Sequence, residues 1–193
     1  MTSAAAPVGI LLAAGRGRRF DPSGERKKLL QRLPDTDDTV LAASARHLLA
    51  VLPRVVAVVR PGDDDVANVL RASGCEVVVC VDADEGMALS LGAALRASLP
   101  AACWIVALGD MPFVQPATIA ALADALRLGA AIAAPVYDGR RGNPVGFHDI
   151  VLPELLALRG DEGARGLFQR HAFTAVATGD AGILRDIDLP ADL

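Results

Sequence analysis

Short apolar runs alternate along this chain with longer segments in which apolar residues recur every three or four positions. Runs that are apolar throughout are typical of strands buried on both faces. They predict strands at Val8–Ala14, Val55–Val59, Glu76–Val81, Trp104–Leu108 and Ala130–Ala134. The helical spacing predicts helices at Thr39–Leu52, Asp63–Ala72, Ala88–Leu99 and Pro116–Leu128. Asp37 or Asp38 is the candidate N-cap of the first of these helices.

This alternation of strands and helices predicts an α/β fold. Helices should cover both faces of a mainly parallel sheet, giving three α/β/α layers. Ligands of such sheets lie beyond the carboxyl ends of the strands. The loops at those ends that carry unusual residues are Gly15–Arg19, Arg60–Asp63, Asp82–Gly86 and Gly109–Pro112.

Beyond residue 135 the pattern becomes less regular. It predicts short helices at Val151–Leu158 and Ala164–His171, and a candidate strand at Phe173–Thr178. The chain contains no internal repeat and no low-complexity linker. Because 193 residues fit one domain, we expect a single domain over residues 1–193.

The composition narrows the choice of ligand. Aromatic residues make up only 4% of the chain, which favours helices packed on a sheet over aromatic binding platforms. The net charge is -4, yet basic residues gather early in the chain, at Arg16, Arg18, Arg19, Arg26, Lys27 and Lys28. An acidic chain with one basic cluster suggests a small anionic ligand, and it argues against nucleic acid, which usually requires a basic face. A solvated charge run is the alternative interpretation.

The three cysteines, Cys75, Cys80 and Cys103, lack the paired spacing of a zinc site. Cys80 and Cys103 lie in apolar runs and are expected to be buried. The first residues lack the features of a signal peptide, and no apolar stretch has the length of a membrane span. We therefore expect a cytoplasmic protein with no membrane partner.

The segment Leu11–Arg19 joins the first predicted strand to a glycine-rich turn. Gly15 and Gly17 allow the backbone to approach an anion closely, and successive N–H groups there can form an anion-binding concavity. Arg19 and Lys28 would add positive charge for phosphate oxygens. The segment lacks the Gly-Lys-Ser/Thr of a Walker loop and the third glycine of a dinucleotide-binding fingerprint. Spacing alone leaves open a plain glycine turn with exposed arginines.

Three aspartates are candidate metal ligands. Asp110 ends an apolar strand, where a carboxylate has no packing role, and a carboxylate at that edge suits Mg²⁺. Asp186 and Asp188 alternate about Ile187, so an extended backbone would place both on one side, where they could complete a site with Asp110. The alternatives are a turn or cap role for Asp110 before Pro112 and an exposed acidic turn for the other two.

Two further loops, Arg140–Pro144 and Gly160–Arg165, mix glycine, charge and turn residues. Loops of this kind often carry function on a rigid scaffold, although surface turns are the commoner interpretation. His47, His148 and His171 belong to no recognisable nucleophile–base motif, and we interpret them as structural or exposed.

Taken together, the motifs resemble those of MobA-like nucleotidyltransferases over essentially the whole chain. Seven of them follow in the family's order: Leu12–Phe20, Lys28–Leu30, Gly86–Leu91, Gly109–Pro112, Gly139–Pro144, Gly160–Arg165 and Asp186–Pro190. The later motifs are most similar to the molybdenum cofactor cytidylyltransferase branch. The guanylyltransferase branch usually ends in Asn-x-Asn, whereas this chain has Asp186 and Asp188. The family usually has His where Asn143 stands.

The resemblance implies a Rossmann-like sheet of the nucleotide-diphospho-sugar transferase type. It also implies transfer of CMP from CTP to the terminal phosphate of molybdopterin, with Mg²⁺ as cofactor and pyrophosphate as product. The implied catalytic residues are Arg19, Lys28 and Asp110, and the implied metal ligands are Asp110 and Asp188. The implied nucleotide-binding residues are Leu12, Ala13, Ala14, Gly15, Arg16, Gly17, Lys28, Ser90 and Asp110. The implied acceptor-binding residues are Arg141, Gly142, Asn143, Pro144, Asp161 and Arg165.

Several alternatives stay open at this point. The pair Lys27-Lys28 leaves the register of the active lysine undecided. The base could be guanine, and the acceptor could be another phosphorylated small molecule. A different class of function is a binding chaperone that delivers molybdenum cofactor to a molybdenum hydroxylase. The apo-enzyme of such a hydroxylase is also the protein partner that the resemblance suggests.

Overall fold

A continuous β-sheet crosses the protein in the computed structural model, which describes residues 6–34, 36–160 and 163–193. The side chain of Arg165 also lies outside what is described, as does the whole of Asp161. The strands are β1 (Val8–Leu12), β2 (Val55–Val59), β3 (Glu76–Val79), β4 (Cys103–Leu108), β5 (Ile132–Tyr137), β6 (Arg140–Arg141), β7 (Val145–His148) and β8 (Thr174–Ala177).

The order of the strands across the sheet is β3-β2-β1-β4-β7-β5-β6, and β8 pairs with β5. Neighbours from β3 to β4 run parallel, and β8 runs parallel to β5. Strand β7 lies antiparallel between β4 and β5, and β6 is antiparallel to β5. The predicted mainly parallel sheet is therefore confirmed, but the sequence pattern did not predict the reversed strand β7.

Helices pack on both faces of this sheet. They are α1 (Val40–Leu49), α2 (Asp64–Ser73), α3 (Met87–Ser98), α4 (Pro116–Arg127), α5 (Leu152–Ala157) and α6 (Leu167–Arg170). One core cluster joins α1, α2 and α4 to the sheet, and the other joins α3, α5 and α6 to its opposite face. The three-layer α/β/α architecture predicted from the alternating pattern is thus confirmed.

Successive residues of the central strands enter opposite cores, which explains why these strands are apolar throughout. In β1, Ile10 packs in the core that contains α3, while Leu11 packs in the core that contains α1. Both side chains are fully buried. Burial of a side chain of this size contributes about 1.5–3 kcal/mol, so a polar residue in either position would weaken one of the two layers.

Most predicted element ends differ from the structure by one to three residues, and two of the differences have a clear physical cause. Thr39, rather than Asp37 or Asp38, is the N-cap of α1, since its hydroxyl accepts a hydrogen bond from the N–H of Ala42 at 3.2 Å. Asp38 instead forms an ion pair with Arg46 at 2.6 Å. The fifth strand was predicted at Ala130–Ala134, but β5 runs on to Tyr137 because it pairs beyond Ala134 with both β6 and β8.

All three cysteines are free thiols and are buried, and burial raises the pKa of Cys75 to about 11. Among the described residues, no helix combines the length and the hydropathy that crossing a bilayer requires.

Candidate active site

The adjacency of β1 and β4 brings two of the predicted motifs together. The strands are parallel, and Leu12 at the end of one is the register partner of Leu108 at the end of the other. Beyond these residues, the N–H of Gly109 donates to the carbonyl of Leu12 at 2.9 Å. The glycine loop, which follows β1, therefore lies next to Asp110, which follows β4, at the same edge of the sheet.

The glycine loop is anchored at its far end and open in its middle. Gly17 has a φ of +62°, and its carbonyl accepts the N–H of Phe20 at 3.0 Å to close a turn. The Phe20 ring is buried and ties the turn to the core. Gly15 and Arg16 are exposed, so the loop presents its backbone and its arginines to the cleft.

The two consecutive lysines point to different partners. Lys27 pairs with Asp63 at 3.1 Å and Asp65 at 3.5 Å, on helix α2 and its approach. Lys28 turns the other way, and its Nζ lies 2.7 Å from Asp110 Oδ2. The next residue, Leu29, is buried in the core and fixes this register.

The loop that leads to Lys28 is organised around one carboxylate. Asp21 accepts hydrogen bonds from the backbone N–H groups of Arg26 at 2.7 Å and Ser23 at 3.0 Å. These bonds to the charged form lower the pKa of Asp21, the one from Arg26 contributing most. The loop is therefore held by its own backbone when it presents Lys28 to the cleft.

Lys28 is the centre of a four-residue charge network. Its ammonium contacts Asp110 at 2.7 Å and Asp188 at 3.3 Å. Arg19 contacts the other oxygen of Asp188 at 2.6 Å. The side chain of Lys28 is 11% exposed, whereas that of Arg19 is 78% exposed. The ion pairs of Lys28 are thus shielded from solvent by the protein, whereas the ion pair of Arg19 is exposed to solvent.

The C-terminal tail reaches this network because it is bonded to the chain at Asp110. The N–H of Ile187 donates to the carbonyl of Asp110 at 2.9 Å, and the Ile187 side chain is fully buried. Asp186 and Asp188 flank this anchor, and both line the same cavity. Partial desolvation raises the pKa of Asp186, and the carboxylates of Asp188 and Asp110 raise it further.

Asp110 retains an unused acceptor. Its Oδ1 is buried and has no hydrogen-bond partner among the described residues. Such an orphaned carboxylate oxygen suits a divalent cation, and Mg²⁺ takes only one or two protein carboxylates when substrate phosphates and water complete its shell. The described part of the chain holds no group of three or more Asp, Glu, His or Cys placed to bind a metal. A site of Asp110 with Asp188 therefore fits a metal that arrives with phosphates.

Two cavities meet at this network. The first, of about 560 Å³, extends from the glycine loop to Ala83–Met87 and Ser90. The second, of about 660 Å³, extends to Arg141–Asn143 and the tail aspartates. Their shared lining consists of Gly15, Arg16, Gly17, Arg18, Lys28, Met87, Leu108 and Asp110. The cleft therefore has two halves with the charge network where they join, and we call them the first and second cavities.

The far end of the first cavity contains a charged cluster that the sequence did not assign. The Asp84 carboxylate pairs with both Arg16 and Arg60. The hydrogen bond from Arg16 lowers the pKa of Asp84, and the charges of both arginines lower it further. All three loops were singled out by the sequence for their position after strands, but no motif pointed to this contact.

The first cavity also depends on a close backbone approach at Gly86. This residue has a φ of +127°, and a Cβ there would lie 2.5 Å from the carbonyl carbon of Gly160. Next to it, the N–H of Ala88 donates to the carbonyl of Gly160 at 3.1 Å. The start of α3 is therefore bonded to the loop that precedes α6.

We expect the substitution Gly86→Ala to lower the free energy of unfolding by about 2–4 kcal/mol, because it adds backbone strain and a steric clash. Urea denaturation would measure the loss. The matched control is Gly62→Ala, where φ is +80° but no atom lies within 4 Å of the added Cβ. If both variants lose the same stability, the contact with Gly160 contributes nothing.

The second cavity is bounded by the connection between β6 and β7. Because β7 is antiparallel to β4, its amino end lies at the same sheet edge as the carboxyl end of β4. The N–H of Gly142 donates to Pro135 at 3.0 Å and that of Asn143 to Ile183 at 3.0 Å. A Cβ on Gly142 would lie 2.3 Å from the Ile183 carbonyl oxygen, so only glycine fits.

The predicted site residues fall into three groups. Those of the glycine loop, with Lys28, Ser90 and Asp110, line the first cavity. Arg19, Arg141, Gly142, Asn143 and Asp188 line the second, while Pro144 lies buried behind it. The predictions for Asp161 and for the side chain of Arg165 lie outside what the structure describes.

Comparison with known proteins identifies a family and several structures to which this chain is similar. Residues 9–176 match the MobA-like NTP transferase domain family. No curated protein sequence matches the chain. Among solved structures, Rv0371c from Mycobacterium tuberculosis H37Rv is 31% identical, with a TM-score of 0.84 over 99% of this chain and 96% of that one.

Two further structures extend the comparison. A manganese complex of Rv0371C is 27% identical, with a TM-score of 0.72 over 99% of this chain and 94% of that one. Molybdopterin-guanine dinucleotide biosynthesis protein A from Archaeoglobus fulgidus is 19% identical, with a TM-score of 0.65 over 96% of this chain and 94% of that one. The last is a likeness of fold, and it agrees with the predicted nucleotide-diphospho-sugar transferase type of sheet.

Proposed function

Because this chain belongs to the MobA-like NTP transferase domain family, we propose that it transfers CMP from CTP to the terminal phosphate of a molybdopterin-type acceptor and releases pyrophosphate. Nucleotidyl transfer is the activity of the family. The choice of CTP and of a molybdopterin acceptor is our proposal. It rests on the tail residues Asp186 and Asp188, which resemble the cytidylyltransferase branch.

The observation that carries the proposal is the continuity of the two cavities across Lys28 and Asp110. A transfer reaction needs donor and acceptor side by side, with positive charge where they meet. The first cavity begins at the glycine loop, whose backbone and arginines suit a triphosphate. The second cavity begins at the same loop and ends at the glycine-rich connection, which suits the acceptor.

The chemistry requires positioning and charge neutralisation. An oxygen of the acceptor phosphate forms a bond to the α-phosphorus of the triphosphate, and the bond from that phosphorus to the β-phosphate oxygen breaks. The electron pair leaves with pyrophosphate. A phosphate monoester is already an anionic nucleophile near neutral pH, so no general base is needed. The obstacle is repulsion between two anions, which electrostatic preorganisation reduces.

The residues of the cleft supply that preorganisation. Lys28 would turn its ammonium from the aspartates to the triphosphate, because Lys28 and the glycine loop line the same cavity. Arg19 would exchange its exposed contact with Asp188 for phosphate oxygens. Asp110 and Asp188 would hold Mg²⁺, which supplies positive charge to the phosphates when bound. The manganese complex of a relative supports a divalent cation in this family of sites.

Pyrophosphate release with each of the four nucleoside triphosphates, with and without molybdenum cofactor, is the decisive experiment. We expect release with CTP and cofactor, and its loss when EDTA removes divalent cations. Release with GTP instead would correct the base, and release with a sugar or polyol phosphate would correct the acceptor. Tight binding of cofactor without any release would favour a chaperone and contradict the proposal.

A further inference from the structure

An arginine in the second cavity is stacked on an aromatic ring. The guanidinium carbon of Arg141 lies 3.6 Å from the centroid of the Phe168 ring and 5.7 Å from that of Phe173. Arg141 is exposed and lines the second cavity. One flat face of the guanidinium is therefore covered, while its N–H edge remains available to a ligand.

The platform beneath this arginine is itself fixed. The rings of Phe168 and Phe173 meet edge to face with their centroids 5.4 Å apart. Leu167, next to Phe168 on α6, is fully buried in the core shared with α3 and α5. On the arginine side, the backbone of the next residue, Gly142, is bonded to Pro135 and packed tightly on Ile183. Both partners of the stack are thus held by the core.

The charge of Arg141 is not neutralised by the described residues. Arg19 in the same cavity pairs with Asp188, and Arg16 and Arg60 pair with Asp84. Arg141 forms no ion pair with any residue that the structure describes, and its guanidinium lies against the two rings. A guanidinium with an open N–H edge binds a pair of oxygens through two parallel hydrogen bonds, as in phosphate or carboxylate.

We propose that Phe168 and Phe173 position Arg141 to bind an anionic group of the acceptor. This inference rests on the proposed function, because it assigns the second cavity to the acceptor. In it, Arg141 touches the substrate, while the two phenylalanines are positioning residues that act through Arg141. The stack restricts a long, flexible side chain before the substrate arrives, which reduces the ordering cost of binding.

Steady-state kinetics of pyrophosphate release should separate these roles. We expect Arg141→Met to raise the acceptor KM about ten- to hundredfold, the loss of a charge-assisted contact. Phe168→Leu should raise it about three- to tenfold, because a leucine fills the space without attracting the cation. Neither change should alter the KM of the triphosphate. Phe168→Tyr keeps an aromatic face and should restore the wild-type value.

A double-mutant cycle tests whether Phe168 acts through Arg141. In the Arg141→Met background, Phe168→Leu should have no further effect on the acceptor KM. If the two effects instead multiply, the ring acts independently of Arg141 and the proposal is overturned. Phe173→Leu provides a second variant, with a smaller effect in the same direction, should Phe168→Leu not fold. The matched control is Arg185→Met, since Arg185 stacks on Phe113 at 4.0 Å but lines neither cavity.

A binding measurement decides the inference even when no turnover occurs. Inorganic phosphate and acetate are titrated calorimetrically in the presence of Mg²⁺ and the α,β-methylene analogue of CTP. We expect Arg141→Met and Phe168→Leu to weaken binding of at least one anion, and the more strongly affected one identifies phosphate or carboxylate as the ligand group. Equal affinities in wild type and both variants would refute the inference. Failure of the proposed function appears separately, as the absence of pyrophosphate release from the wild-type protein.

Discussion

Replacing Asp110 by asparagine is expected to lower the rate of nucleotidyl transfer by about 10²–10³, with the fold retained, by analogy with the loss of one preorganised group in other enzymes. The amide keeps the shape of the side chain and removes its charge. It thereby weakens both the contact with Lys28 Nζ, which lies at 2.7 Å from Oδ2, and the attraction of the buried oxygen for a cation, because a single uncharged amide oxygen remains. The rest of the strand end is unchanged, because the backbone bond from Gly109 to Leu12 does not involve the side chain.

The measurement is kcat for pyrophosphate release, together with the affinity for Mn²⁺ in the presence of a triphosphate. Both should fall if Asp110 holds the cation. Asp124→Asn is the control, because Asp124 is exposed on α4 and pairs only with Arg127 among the described residues. An undiminished rate in folded Asp110→Asn protein would show that the metal assignment is wrong.

Replacing Lys28 by methionine is expected to lower kcat by a similar factor, about 10²–10³. Methionine preserves most of the apolar stem and removes the ammonium that lies where the two cavities meet. The free protein should also change, because Asp110 and Asp188 would then face each other without the cation that bridges them. We therefore expect Mn²⁺ alone to bind more tightly to this variant than to the wild type.

Lys27→Met is the matched comparison for this prediction. Lys27 pairs with Asp63 and Asp65, away from Asp110, so its loss should change kcat by less than about threefold, since ion pairs that are partly open to solvent contribute little free energy. The two substitutions are at adjacent positions, but the two lysines pair with different aspartates. A large loss in Lys27→Met with a small one in Lys28→Met would reverse the assignment of the active lysine.

The sequence predicted the layers of the fold because strands that are buried on both faces are apolar throughout. Strands β1, β2 and β4 have this pattern, and the helices between them have apolar residues every three or four positions. The sequence pattern did not predict strand β7, because its position and its reversal depend on pairing with β4, which no local pattern encodes. The family resemblance was confirmed at the level of the MobA-like domain.

The candidate site was only partly predictable for a related reason. Glycines and an aspartate at strand ends identify loops that can bind a ligand, but they do not state which loops meet. The register partner of Leu12 places Asp110 next to the glycine loop, and the structure brings Lys28, not Lys27, into contact with Asp110. No sequence pattern identified Phe168, since its proposed positioning role depends on contact with Arg141, 27 positions earlier in the sequence.

The reversed strand β7 divides the molecule into two parts that can change independently. Residues from β1 to β4 build the half of the cleft that faces the glycine loop, whereas the far wall of the other half comes from the chain beyond β5. An insertion or deletion between β6 and β7 would reshape that wall without altering the pairing of β1 with β4. Under the proposed function, the acceptor preference could therefore change while the other half of the cleft stays the same, and exchange of residues 138–144 between relatives is the smallest graft that would test this.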